Sequence, residues 1–405
     1  MIPAQELEQT DDRRSAWAVF LVFLRLGLTS FGGPVAHLGY FREAFVTRRR
    51  WLSERAYSDI VALCQFLPGP ASSQVGMVIG LSRAGYRGAL AAWLGFTMPS
   101  AIVLVVLAMG LSGAGNQVPA GLLHGLKVAA VAVVAQAVWG MARSLCPDAP
   151  RLTLMALAAT AVMLVPSPWC QVAVMVAAGL AGARWFRPAQ AQAHEPLPIP
   201  VGHGAAIGFL LAFFVLLVGL PIAHRLFPGQ WLAMADAFYR AGALVFGGGH
   251  VVLPLLQAAV VPTGWVDNDI FLAGYGAAQA VPGPLFTFAA FLGGAMRAEP
   301  SGWVGGMLCL VAIFAPSFLL VLGALPFWER LRRNAGAQAA LAGVNAAVVG
   351  LLVAALYQPV WTSAIHAPAD VALALLALVA LAAWRVPPWL VVLACALAGW
   401  GLAPS

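Results

Sequence analysis

Residues 25–33 read RLGLTSFGG, and residues 240–248 read RAGALVFGG, 215 positions further on. Trp51 is followed fourteen residues later by Gln65 and then by Pro68-Gly69-Pro70. Trp265 is followed fourteen residues later by Gln279 and then by Pro282-Gly283-Pro284. The chain is a duplicated unit, and each copy interrupts apolar sequence twice. Glycine and proline stop helices, and a helix stopped inside lipid leaves backbone groups that lipid cannot satisfy. Such breaks are tolerated only where they are packed in protein or line a wet cavity. The duplication therefore points to a transporter whose site lies where the copies meet.

The solvent is set by composition: 61% of the residues are hydrophobic and 9% charged, against about 25% charged in a soluble domain. Apolar runs near 20 residues recur, at 88–111, 121–138 and 204–221 among others, and this is the length a bilayer core requires. The predicted fold class is an all-α polytopic integral membrane protein. The net charge of +7 is assigned to arginines flanking membrane segments, so no nucleic-acid partner is expected. Cys64, Cys146, Cys170, Cys309 and Cys395 are scattered without CxxC spacing, so neither disulfides nor structural zinc are expected. The start, MIPAQELEQTDDRRSAW, is too polar for a cleaved signal peptide and reads as a cytoplasmic tail. With no HExxH, GxSxG, Walker loop or paired mid-membrane carboxylates, neither an enzyme nor an ATP-driven pump nor a cofactor is expected.

The copies match beyond their breaks. Pro99-Ser100 corresponds to Pro316-Ser317, Gly125 and Lys127 to Gly343 and Asn345, and Gly182 to Gly399. The expected organisation is a first repeat over 1–186, a linker with one unpaired helix over 187–222, and a second repeat over 223–405. The loop after the first Phe-Gly-Gly holds Arg42, Arg48, Arg49, Arg50 and Arg55, whereas its counterpart, 257–269, has no basic residue and carries Asp267 and Asp269. Later the bias reverses: 112–120 is uncharged and its counterpart includes Arg330, Arg332 and Arg333. Under the positive-inside rule the copies sit upside down to each other. Arg48–Arg50, Arg83 and Arg87 all read as cytoplasmic, so 57–82 is predicted to enter the membrane, break at Pro68–Pro70 and return. The same reading applies to 16–45, with ordinary kinked spans as the alternative. Each copy is predicted to hold two re-entrant or broken hairpins followed by about four spans.

Arg25 and Arg240 lead the candidate site residues. Each lies six residues before Phe-Gly-Gly in an apolar run, where a guanidinium costs about 2.5–3.5 kcal/mol or more. The partner expected for both is a bound anion rather than an acid of the chain, with snorkelling to the interface or capping of the carbonyls at a break as the alternative. New half-helices are predicted to start at Pro34, Pro70, Gly249 and Pro284, and their free N–H groups attract anions. Gly32, Gly33, Gly69, Gly247, Gly248 and Gly283 let backbone approach the ion. Ser72, Ser73, Gln65, Gln279 and Thr287 are candidate donors, although a hydroxyl in a helix also bonds its own backbone. Lys127 and Asn345 suggest a shared cavity wall, with a snorkelling lysine as the alternative. His37 and His250 are candidates for a proton-linked role, the alternative being packed, hydrogen-bonded residues. Glu43 and Asp59 are expected to pair with the arginine-rich loop.

Residues 23–80, FLRLGLTSFGGPVAHLGYFREAFVTRRRWLSERAYSDIVALCQFLPGPASSQVGMVIG, closely resemble the chromate ion transporter family, and FGGGHVVLPLL and AVPGPLFTFAAFLG resemble that family's second domain. The resemblance spans essentially the whole chain and matches the long, two-domain form. It implies export of chromate from the bacterial cytoplasm across the inner membrane, giving resistance, with sulfate as the stereochemical look-alike. The motif residues that carry over are Arg25, Phe31, Gly32, Gly33, Pro34, His37, Gln65, Pro68, Gly69 and Pro70. Phe246, Gly247, Gly248, Gln279, Pro282, Gly283 and Pro284 do so in the second half. The expected partners are a tetrahedral oxyanion and the lipid bilayer, with a homodimer left open. An oxyanion exchanger and an anion channel remain the alternatives.

Overall fold

The computed structural model describes residues 15–114, 119–165, 167–186, 201–246 and 249–402. The N-terminal tail, most of the linker and the pair Gly247-Gly248 lie outside the described residues. The described residues are helical and connected by turns, with no strand among them. The first half comprises α1 (Ala16–Thr29), α2 (Gly33–Arg42), α3 (Glu54–Phe66), α4 (Ala71–Ala114), α5 (Ala120–Leu145), α6 (Ala149–Leu164) and α7 (Pro168–Trp185). The unpaired helix is α8 (His203–Leu226). The second half comprises α9 (Gln230–Leu244), α10 (Val252–Val260), α11 (Asn268–Ala280), α12 (Phe288–Gly294), α13 (Gly302–Ala324), α14 (Ala335–Ala355), α15 (Pro368–Ala382) and α16 (Pro388–Leu402). Five helical stretches are long and apolar enough to cross a membrane, and the protein is an all-α polytopic membrane protein.

Local chemistry sets the breaks. Ser15 begins α1 by accepting the Trp17 N–H, and Ser53 begins α3 by accepting the Ala56 N–H. α1 ends before Phe31-Gly32-Gly33, with Gly32 and Gly33 at positive φ, and α3 ends before Pro68-Gly69-Pro70. α1 and α3 have 14 and 13 residues, and at 1.5 Å per residue helices this short stop at about 20 Å of a core about 30 Å thick. α4 is two arms, 71–83 and 86–114, joined by non-helical backbone at Ala84 and Gly85. The arms fold back on each other, because a Cβ on Gly80 would overlap the Gly88 carbonyl. The second half repeats this reversal between α12 and α13, where Gly293 and Gly305 make the same close approach. The segment 57–82 breaks at Pro68–Pro70, between α3 and the first arm of α4, and the chain reverses after it, beside Arg83 and Arg87, at Ala84-Gly85.

The halves are intertwined. α1 packs along the second arm of α4, and α9 packs in the same way along α13. The closing helices of each half pack on the other half: α6 and α7 on α14, and α15 and α16 on α5. Gly125 meets the backbone of Cys395 and Ala396, and its counterpart Gly343 meets that of Ala178 and Gly182. Small residues permit this backbone-to-backbone approach, the usual basis of helix association in lipid. α8 lies outside against α9 and α13 and is mostly exposed.

Candidate functional site

The four breaks meet. The Gly69 N–H donates to the Val245 carbonyl at 2.7 Å, and the Gly283 N–H donates to the Ser30 carbonyl at 3.0 Å. Gly69 and Gly283 are repeat counterparts, as are Val245 and Ser30, so the Pro-Gly-Pro break of each half is tied to the Phe-Gly-Gly break of the other. Both glycines have positive φ, +120° and +112°, which L side chains rarely adopt. A Cβ on Gly69 would lie 2.5 Å from Ser317 Oγ, and one on Gly283 would lie 2.7 Å from Ser100 Oγ. The duplicated Pro-Ser pairs are therefore the floor under the duplicated Pro-Gly-Pro turns. The helical starts also converge: a Cβ on Gly249 would lie 3.4 Å from Pro34 Cγ and 3.7 Å from Leu285 Cβ.

Polar side chains gather around these contacts. His37 is buried, with Nε2 3.2 Å from the Ser30 carbonyl and Nδ1 3.4 Å from Ser72 Oγ. Its ring meets Phe96 edge-on. His250 Nδ1 lies 2.8 Å from the Tyr275 hydroxyl. Gln74 donates to the Pro68 carbonyl at 2.7 Å. Thr287 spends its hydroxyl on the Pro284 carbonyl at 2.7 Å, the local bond that weakens its candidacy as a ligand. Several buried atoms have no hydrogen-bond partner: Ser30 Oγ, Ser73 Oγ, Gln74 Oε1, Thr97 Oγ1 and Ser317 Oγ; the Gln279 amide, also without a bond of ordinary geometry, lies against the Tyr275 hydroxyl. Buried polar groups are ordinarily paired, and these orphans lie on or beside the elements that carry the breaks. None of these groups is a carboxylate. Hydroxyls and an amide N–H beside half-helix starts suit an anion.

The arginines are arranged otherwise than expected. Arg240 pairs with Asp236, one helical turn earlier, at 2.7 Å. The acid stood in the sequence at i−4, and its side chain is 6% exposed, so Arg240 has an internal partner that was not expected, while its Nε is buried without one. Arg25 lies on the exposed face of α1 with Leu21 and Leu28, and α1 and α9 do not pack along each other. Lys127 is also paired within the protein, to Asp269 at 3.0 Å, while Asn345 keeps a buried Oδ1 without a partner. Gln65 is exposed and Gln279 half-buried. Glu43 pairs with Arg48, as expected of the arginine-rich loop, and Glu54 with Arg42. The helical starts at Gly33 and Ala71 follow the breaks as expected, whereas in the second half the first turns are 3-10, at Gly249–Val251 and Leu285–Thr287. Ser30, Gln74, Thr97, Ser100 and Ser317 were missed by sequence reasoning. The duplicated Pro-Ser was the signal for two of them.

The family model of the chromate transporter matches residues 17–183 and again residues 232–400. The chain belongs to the chromate transporter family. The two matches coincide with the two halves joined at the breaks. A chromate transport protein of Pseudomonas aeruginosa is 28% identical over 96% of this chain and 92% of its own. A probable chromate transport protein of Synechococcus elongatus is 28% identical over 82% of each chain. A chromate transport protein of Cupriavidus metallidurans is 26% identical over 89% of this chain and 86% of its own. No solved structure matches the chain. Family membership makes the protein a multi-pass membrane transporter.

Proposed function

We propose that this chromate transporter family member is a secondary transporter that exports chromate, or a tetrahedral dianion of like shape, and so confers chromate resistance. The observation that carries the reading is the buried centre of unpaired hydroxyls and amides at the four breaks, with no carboxylate among them. Ser30, Ser73, Thr97, Ser317 and Gln279 are its ligands in this reading. His37 holds the Ser30 carbonyl, and Gly69 and Gly283 give the ion access to backbone.

The reading extends to orientation. The basic loops at Arg48–Arg50 and at Arg330–Arg333 face the cytoplasm of the inner membrane together with the N-terminus, and the repeats 1–186 and 223–405 are inverted about the linker unit 187–222. A dianion leaving a cell negative inside gains about 4.6 kcal/mol per 100 mV, roughly three decades of concentration ratio. Export therefore needs no obligatory cation.

The test is uptake of labelled chromate into inside-out vesicles containing the purified protein, at set voltage and pH, with sulfate, molybdate and phosphate as competitors. Saturable flux that grows with inside-positive vesicle voltage supports the reading. Flux that does not saturate would make the protein a channel, and absence of flux would remove the transport assignment. Stronger inhibition by sulfate than by chromate itself would reassign the substrate.

A further inference from the structure

The repeat symmetry that holds at the centre fails at one place. α11 lies along α5. A Cβ on Gly276 would lie 2.6 Å from the Leu126 carbonyl, Lys127 and Asp269 pair at 3.0 Å, and residues 271–278 are all buried. The counterparts of these helices, α3 and α14, do not lie along each other. α3 instead presents an exposed row at helical spacing, Arg55, Ser58, Ala62 and Gln65. Three of the four are polar, a face that lipid disfavours and a wet cleft suits. The row runs from the arginine-rich loop down to the Pro68–Pro70 break. Across from it in the repeat geometry, α14 has the half-buried positions Leu341, Ala342 and Asn345.

The register names the missing contact. The offset that puts Gln65 on Gln279 puts Arg55 on Asp269 and Ala62 on Gly276, and the offset that puts Gly125 on Gly343 puts Lys127 on Asn345. Where α11 brings an acid to a lysine, α3 would bring an arginine to an amide. The Asn345 Oδ1 atom is buried and without a hydrogen-bond partner, an acceptor waiting for a donor.

We infer that α3 and α11 are the two gates of the transport cycle, that α11 is shut and α3 open in this structure, and that α3 shuts by docking Arg55 on Asn345. This rests on the transport reading above. Exchange of the two halves' conformations is the motion inverted repeats permit. The two latches are unequal: an ion pair with a nearly buried lysine holds α11, whereas a cation–amide bond holds α3. The resting protein therefore stands open on the α3 side, the side from which an exporter loads.

The test uses the full chain with its native cysteines replaced and a single Ala62→Cys on α3. Its labelling by a membrane-impermeant maleimide is followed in inside-out vesicles. Asn345→Asp gives closed α3 an ion pair, so the closed-to-open ratio should rise about fivefold, the effect of roughly one interaction of this strength, labelling should slow accordingly, and chromate flux should fall. Adding Arg55→Ala should restore the labelling rate. Asp269→Asn, which weakens the other latch, should also slow labelling. A second measurement reads proximity directly: Arg55→Cys and Asn345→Cys should be joined by a short bis-maleimide in the Asp269→Asn background. Unchanged labelling in Asn345→Asp, slowing that Arg55→Ala does not relieve, or absence of the cross-link would overturn the gate assignment. Wild-type protein that gates as described but carries no chromate would leave the pairing intact and sink the transport reading instead.

Discussion

Arg240 and Asp236 show how one neighbour changes the meaning of a residue. An arginine six residues before a break looks like an anion ligand until its carboxylate is found one turn away. Asp236 is buried, with one oxygen on Arg240 and the other, Oδ1, unpartnered. Removing the guanidinium strands a buried charge, and such losses cost about 3–5 kcal/mol. Arg240→Ala should therefore lower the amount of folded protein in the membrane. Adding Asp236→Asn should restore it, as read by fluorescence-detected gel filtration, together with most of the chromate flux. Restored folding with flux still absent would return Arg240 to the list of substrate ligands. The half-site residues that sequence did point to, Ser73 and Gln279, stand beside ones it did not, Ser30, Thr97 and Ser317. An isolated serine or threonine in an apolar helix carries no signal of which way it faces. Only its failure to find a partner in the packed state does.

At the scale of elements, the Pro-Gly-Pro turns are joints between halves rather than local kinks. Gly69 and Gly283 combine a left-handed backbone with an N–H bonded to the opposite repeat and a serine hydroxyl against the Cα. Gly69→Leu or Gly283→Leu must displace Ser317 or Ser100 and strain the turn, at a cost of order 1–3 kcal/mol for the backbone conformation alone. Each should abolish chromate flux while leaving protein in the membrane, measured as initial rate at matched expression. Normal flux in both variants would reduce these turns to simple kinks. The breaks were legible because glycine and proline act through the backbone of their own residues. The reversal at Ala84-Gly85 was legible only indirectly, through arginines on both sides of it. Its geometry came from the Gly80–Gly88 approach, which no local pattern announces.

For the whole molecule, the exchange of closing helices between halves makes each repeat incomplete by itself. α6 and α7 have their partner in α14, and α15 and α16 have theirs in α5. The membrane orientation follows from charge and is open to direct measurement. In cysteine-free protein, single cysteines at Thr47 and Arg333 should react with impermeant maleimide only from the cytoplasmic side, and one at Asp267 only from outside. Asp267 is an instructive choice because it pairs with Arg297, so a control at the neighbouring exposed Thr263 keeps the result independent of that pair. Labelling of positions 47 and 267 from the same side would rule out inversion. The sequence by itself determined the solvent, the helical class, the duplication and the places where helices stop, because these depend on composition and on the backbone preferences of glycine and proline. The tertiary structure alone decided which half's break meets which, that Lys127 is neutralised from within, and that α11 packs on α5 while α3 does not pack on α14. Those outcomes depend on distances between residues more than 100 positions apart, and a repeated sequence specifies both halves alike while a single conformation must treat them differently.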